Sequence, residues 1–187
     1  MNIGILAVQG AFAEHAAVLD QLNIPHTEIR CEKDLLQPFD GIILPGGEST
    51  VQGKLLRELH LFTPMQNLIQ GGMPVLATCA GMILLAQNIE GQGDAYFATI
   101  PMTVRRNAYG RQLGSFHTEQ DCIGAGKIPM TFIRAPYVTQ ASDTVTILST
   151  VENHIVAVRY QNQIALSFHP ELDDDCKLHQ MFIDMCV

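Results

Sequence analysis

Residues 78–81, Thr-Cys-Ala-Gly, set a thiol where an apolar run gives way to a helical pattern, and Cys79 has Ala77, Ala80 and Gly81 as small neighbours. A nucleophile on a strand-to-helix turn needs such neighbours, because the turn is tight and strained. The start of a helix suits a thiolate nucleophile and aims the amide of Ala80 at the place where an oxyanion would form. A thiolate also needs a base that orients it and protonates the leaving group. Among the seven histidines, His169 has that setting. It ends the apolar run 164–168, which puts it at the C-terminal edge of a strand, where the sites of parallel sheets gather. Pro170 fixes the chain beyond it, and Glu171 is near enough to hold the imidazole tautomer as the third member of a triad.

Each of these features alone has a plain structural reading: an inert buried thiol for Cys79, and a turn with a solvated acid for His-Pro-Glu. Their pairing favours chemistry. A third element is Pro45-Gly46-Gly47-Glu48-Ser49-Thr50, again after an apolar run and before a helical one, whose glycines let backbone amides approach a ligand. Gly53-Lys54 raises the possibility of a phosphate loop, but five residues separate Gly47 from Gly53 and Leu55 stands where a magnesium-binding hydroxyl belongs. Asp173-Asp174-Asp175-Cys176 with His179 reads as a helix start and not as a metal site, since no second ligand cluster completes it. The remaining histidines and cysteines lack comparable surroundings, and core or surface roles suit most of them.

The elements that position these groups follow from hydrophobic periodicity. Residues 3–8, 41–44 and 74–77 are buried-type strands, each followed by a turn and a helical pattern: Phe12, Ala16, Leu19 and Leu22; then Val51, Leu55, Leu56 and Leu59; then 82–86. Strands alternating with helices imply βαβ units with right-handed crossovers. In the second half, 102–105, 130–133, 145–148, 155–160 and 164–168 are short β-type runs that extend the parallel sheet into a mixed one, and a last helix follows Asp175 through Phe182 and Met185. The expected fold is a three-layer α/β domain over 1–187, with a mixed, mainly parallel central sheet. No repeat, linker or low-complexity tract divides it.

Composition bounds the partners. The chain has 187 residues, 47% hydrophobic and 16% charged, with 11 Lys plus Arg against 19 Asp plus Glu and a net charge of −8. That balance offers no basic face for a nucleic acid. Residues 59–89 carry no Asp, Glu, Lys or Arg, but Pro64, Gly71, Gly72 and Pro74 interrupt the stretch, so no window provides the ~20 apolar residues of a membrane span. The opening residues lack a basic region and a signal-length apolar run, which predicts a cytoplasmic protein. Five cysteines without a C-x-x-C pair predict no disulfide framework.

Six blocks in order then resemble the glutaminase subunits of pyridoxal 5′-phosphate synthases, which have a class I glutamine amidotransferase fold: Ala-Val-Gln-Gly-Ala (7–11) with Glu14-His15, Leu-Pro-Gly-Gly-Glu-Ser-Thr (44–50), Thr-Cys-Ala-Gly (78–81), Arg-Arg-Asn-Ala-Tyr-Gly-Arg-Gln (105–112), Phe-Ile-Arg-Ala-Pro (132–136) and Ser-Phe-His-Pro-Glu-Leu (167–172). The resemblance implies a flavodoxin-like domain that hydrolyses L-glutamine and delivers ammonia to a separate synthase subunit, with many copies on a synthase dodecamer and with no cofactor or metal. By position it makes Cys79 the nucleophile, His169 the general acid and base, and Glu171 the group that orients His169. It assigns Gly46, Gly47, Glu48, Arg106, Ile133 and Arg134 to glutamine, the amides of Gly46, Gly47 and Ala80 to the oxyanion hole, and Gln9, Gly10, Glu14 and His15 to the neighbourhood of the partner interface. An apolar docking patch is expected near residues 9–15. Two departures stand out: Ala77 replaces the usual glycine of the elbow, and 91–101 lacks the usual Leu-Gly-Leu. Other readings of the elbow are a hydrolase of another γ-glutamyl amide and a non-catalytic regulatory subunit on the same fold.

Overall fold

The computed structural model describes residues 1–106 and 115–187. In chain order the strands are β1 (Ile3–Leu6), β2 (His26–Ile29), β3 (Gly41–Leu44), β4 (Val75–Thr78), β5 (Ala86–Ile89), β6 (Ile100–Arg105), β7 (Ser115–Cys122), β8 (Gly126–Ile133), β9 (Tyr137–Ala141), β10 (Thr146–Val151), β11 (His154–Tyr160) and β12 (Gln163–Leu166). The helices are α1 (Phe12–Gln21), α2 (Ser49–Glu58), α3 (Phe62–Gln70), α4 (Ala80–Leu85) and α5 (Lys177–Ile183), with 3-10 turns at Glu32–Leu36 and Pro170–Leu172. The main sheet runs β2-β1-β3-β4-β12-β11-β9-β6-β5, with β10 paired to β11. It is parallel from β2 to β12 and between β5 and β6, and antiparallel elsewhere.

The continuous apolar runs form the central strands because both faces of the sheet are covered. Along β3, Ile42 and Leu44 join one core and Ile43 the other; along β4, Val75 and Ala77 face opposite to Leu76. One core takes Leu56 of α2, Met65 of α3 and Met82 of α4, and the other takes Leu19 of α1 with Leu178 and Phe182 of α5. The expected three-layer arrangement with a mixed sheet is therefore present, and Ala77 is accommodated as a core residue.

The structure departs from the periodicity reading where the pattern is polar. β2, His-Thr-Glu-Ile, is an edge strand with only Ile29 buried. α3 carries Pro64 in its first turn, where a missing N–H costs nothing. Residues 130–133 lie outside the main sheet, in a two-stranded antiparallel ribbon of β7 and β8. The ribbon packs through aromatic rings, Phe116 stacked on Phe132 at 4.4 Å and Phe132 tilted against Phe168 at 5.5 Å. The expected apolar patch at 9–15 is absent: among the described residues the exposed large apolar side chains are Met1, Leu36, Val51, Ile123, Ile133, Ile147, Leu172 and Val187, whereas within 9–15 the exposed residues are Gly10, Ala13 and Glu14. Among the described residues no helix is long and apolar enough to cross a membrane.

The atypical segment after β5 has its own anchor. The Phe97 N–H donates to Leu84 O at 2.9 Å, and its fully buried ring meets Phe62 at a centroid distance of 5.1 Å. Tyr96 lies against Gly53, in space that a Cβ would fill. Phe97→Ala should therefore destabilise the chain by about 3–5 kcal/mol, read as a lower urea midpoint at unchanged slope.

Candidate active site

Three neighbouring parallel strands, β3, β4 and β12, end side by side. Leu44 is level with Ala77, and Leu166 with Thr78. The glycine loop, Cys79 and His169 follow directly from these ends, so strands 4.7–4.9 Å apart bring together residues widely separated in sequence. Cys79 sits between β4 and α4 with φ 48° and ψ −100°, a conformation that L-residues seldom adopt. Its N–H donates to Leu166 O at 2.8 Å, which ties the elbow to β12. Gly81 allows the turn, because a Cβ there would overlap the carbonyl of Leu44.

His169 is anchored from the ribbon by its own N–H, which donates to Thr131 O at 2.8 Å. Its Nδ1 lies 2.7 Å from Glu171 Oε1, and its ring lines the same cavity as Cys79. All three residues are buried. Burial alone would push the imidazole pKa down, but the hydrogen bonds with Cys79 and Glu171 and their charges outweigh it and carry it up to about 10. For Glu171, burial favours the acid, yet the hydrogen bond from His169 and its positive charge hold the carboxyl below its ordinary range. The result is an imidazolium held between a sulfur and a carboxylate.

A cavity of about 250 Å³ opens over Cys79 and His169, and Gln9, Gly47, Glu48, Arg106, Ile133 and Arg134 are among the residues that line it. The Ile133 carbonyl is 4.0 Å from the Cys79 sulfur. Arg134, with φ 42°, reaches to 3.7 Å from Glu48, and Arg106 donates to Gln92 Oε1 at 3.0 Å. The rest of that arginine block, 107–112, lies outside the described residues. Two guanidinium groups and one carboxylate around a thiol suit an amino acid that presents its own carboxylate and ammonium while its side chain reaches the sulfur.

Among the amides that the resemblance assigns to an oxyanion, Gly46 is already committed: its N–H donates to Thr78 Oγ1 at 2.9 Å. Its contribution is steric, since a Cβ at Gly46 would overlap the His169 ring. The amides of Gly47 and Ala80 have no partner among the described residues. Of the four residues expected near a partner, Gln9, Gly10 and Glu14 are at least partly exposed, but His15 is completely buried. Its apolar-face position on α1 turns it inward, with Nε2 3.2 Å from Thr78 Oγ1 and 3.5 Å from Glu171 Oε2, and Nδ1 2.9 Å from His179 Nε2.

Thr78, Gln52 and His179 are polar groups that the sequence reading did not place at the site. Gln52 Nε2 donates to Gln9 O at 2.9 Å and to Pro45 O at 3.1 Å, pinning two loops together, while Gln9 Oε1 accepts from the Glu48 N–H at 2.9 Å. The available signal was a polar side chain on an otherwise apolar strand or helix face. Among the described residues no group of three or more side chains is arranged to hold a metal ion.

Comparison with known proteins gives the family. The chain is 58% identical over 184 residues to a pyridoxal 5′-phosphate synthase subunit PdxT of Desulfitobacterium hafniense, covering 98% of this chain and 92% of that one. It is 56% identical over 189 residues to the subunit of the same name from Streptococcus pneumoniae, covering 100% and 97%. A crystal structure of a glutamine amidotransferase superposes with a TM-score of 0.93 at 36% identity over 98% of both chains. The structure of PurLQS from Thermotoga maritima, at 13% identity and a TM-score of 0.68 over 98% and 97%, shares the fold alone. The model of the SNO glutamine amidotransferase family matches residues 5–187, and the chain belongs to that family.

Proposed function

We propose that the chain hydrolyses L-glutamine to L-glutamate and ammonia through a Cys79–His169–Glu171 triad and passes the ammonia to a synthase subunit that makes pyridoxal 5′-phosphate. The observation that carries this reading is that Cys79 and His169 line one cavity, with His169 hydrogen-bonded to Glu171 behind it, in a chain of a glutamine amidotransferase family. The names of its relatives supply the product pathway and the synthase partner.

In this reading Arg106 and Arg134 take the substrate carboxylate, Glu48 takes the ammonium, and Gly47 and Ile133 line the side-chain path. The Cys79 thiolate attacks the carboxamide carbon, and the new oxyanion accepts hydrogen bonds from the Gly47 and Ala80 amides. As the intermediate collapses, the C–N bond breaks and the His169 imidazolium gives its proton to the departing ammonia, leaving a γ-glutamyl thioester. His169, now neutral, takes a proton from water as the water attacks the thioester; the C–S bond then breaks and the thiolate and imidazolium are restored. Glu171 holds the imidazole in place throughout. Thiol, imidazole and water balance every step.

Gln9 and Gly10, which meet the glycine loop, and the exposed Glu14 of α1 would meet the synthase, with many copies of the chain on a synthase dodecamer as the resemblance implies. A reducing cytoplasm suits the five free thiols.

In a glutaminase assay with the synthase present, Cys79→Ala should lower turnover on the order of 10⁴-fold or more without loss of folding. Retained glutamate release would overturn the mechanism. Gly46→Ala should displace the His169 ring and cost about a hundredfold in kcat, a loss measurable at saturating glutamine. Because the His169 pKa is raised to about 10, the imidazolium persists across the neutral range and is lost only as pH rises through that value. The alkaline limb of the glutaminase pH profile should therefore lie near 10; a fall centred near an ordinary histidine value of about 6.5 would contradict it.

A further inference from the structure

Behind Glu171 the polar line continues into the interior. His15 lies between α1 and the sheet, and His179 on α5 is packed against it, with ring centroids 5.2 Å apart. Both are completely buried. The groups facing His15 are Glu171 and His169 from the segment after β12, His179 from α5, Thr78 from β4 and Glu14 from its own helix. Burial, its largest influence, outweighs Glu171 and lowers the His15 pKa; burial together with His15 brings that of His179 down to about 3. Two neutral imidazoles therefore share one proton position between His179 Nε2 and His15 Nδ1, 2.9 Å apart.

The surroundings decide which ring donates. His179 Nδ1 is buried and without a hydrogen-bond partner among the described residues. If it carried the proton, a buried N–H would be orphaned, which native structures avoid more strictly than an idle lone pair. The proton is therefore on His179 Nε2 and is donated to His15 Nδ1. His15, accepting there, carries its own proton on Nε2, which points at Thr78 Oγ1 at 3.2 Å and Glu171 Oε2 at 3.5 Å. Glu171 Oε2 makes no hydrogen bond among the described residues, and His15 Nε2 approaches it to 3.5 Å. The opposite tautomers would turn an imidazole lone pair toward a carboxylate oxygen.

We propose that His15 is a positioning residue for this hydrolysis: its Nε2–H, hydrogen-bonded to Thr78 Oγ1, faces the rear oxygen of Glu171 so that the carboxylate stays ionised and turned toward His169, with His179 fixing the tautomer that presents this N–H. The proposal rests on the triad reading above. It assigns a role in the chemistry to a residue that touches neither substrate nor sulfur.

The test compares His15→Leu, which keeps the bulk and removes the donor, with His15→Gln, whose amide can donate from nearly the same place as Nε2. Both are measured as full chains with the synthase, alongside Cys79→Ala. A buried carboxylate that loses a facing N–H dipole binds a proton more readily. In His15→Leu the acid limb of the kcat profile should rise by about one pH unit, and kcat should fall about tenfold with KM little changed. His15→Gln should restore both. If His15→Leu does not fold, His179→Phe leaves His15 in place and should move the acid limb in the same direction. An acid limb unmoved in whichever of these two variants folds, or one moved equally in Leu and Gln, overturns the proposal. An active Cys79→Ala would instead overturn the triad reading on which it rests.

Discussion

The site depends on three parallel strands ending level. If β4 slipped by one residue against β3 or β12, Ala77 and Leu76 would exchange faces and both cores would lose their fit. The register that fills the two cores is thus the same register that sets Cys79 beside the glycine loop and the His169 turn. Packing energy spent on Ile42, Ile43, Leu76 and Leu166 holds an arrangement of polar groups that has little stability of its own. The strained backbone at Cys79 is maintained in the same way, by the bond to Leu166 and by the close approach of Gly81 to Leu44.

Within that frame the electrostatics form a gradient of commitment. The Cys79 side is open to a cavity, the His169 ring lies between sulfur and carboxylate, and the inner side is closed by neutral histidines. Charge is kept at the reacting end, while the buried interior offers only dipoles. A net acidic chain tolerates this because the cations near the site, Arg106 and Arg134, line the cavity and do not penetrate the core.

Cys79, His169 and Glu171 were legible in the sequence because each follows a continuous apolar run and is bracketed by small residues or proline, a pattern that fixes a strand end without knowledge of the rest of the fold. β2 and the β7–β8 ribbon were not legible, because their residues alternate with many polar groups and cover only one face. His15 and His179 are 164 residues apart, and nothing local in either helix says that α1 and α5 lie on the same side of the sheet. Thr78 was visible as part of the elbow motif, but its hydroxyl acquires meaning only once Gly46 and His15 are seen to converge on it. The commitment of the Gly46 amide likewise depends on a partner from another strand, which is why the sequence assigned that amide to an oxyanion.

The ribbon has a consequence of its own. His169 receives its backbone anchor from Thr131, in an element hydrogen-bonded to no strand of the main sheet through its own ladder. A two-stranded hairpin is marginal in water unless something packs on it, and here Cys122, Ile128, Met130 and Phe132 join one of the two cores while Phe116, Phe132 and Phe168 pack ring on ring. Local opening of the ribbon would free the backbone anchor of His169 without breaking a ladder of the main sheet. The backbone anchor of His169 therefore depends on how this ribbon packs on the core, and not on the ladder of the main sheet.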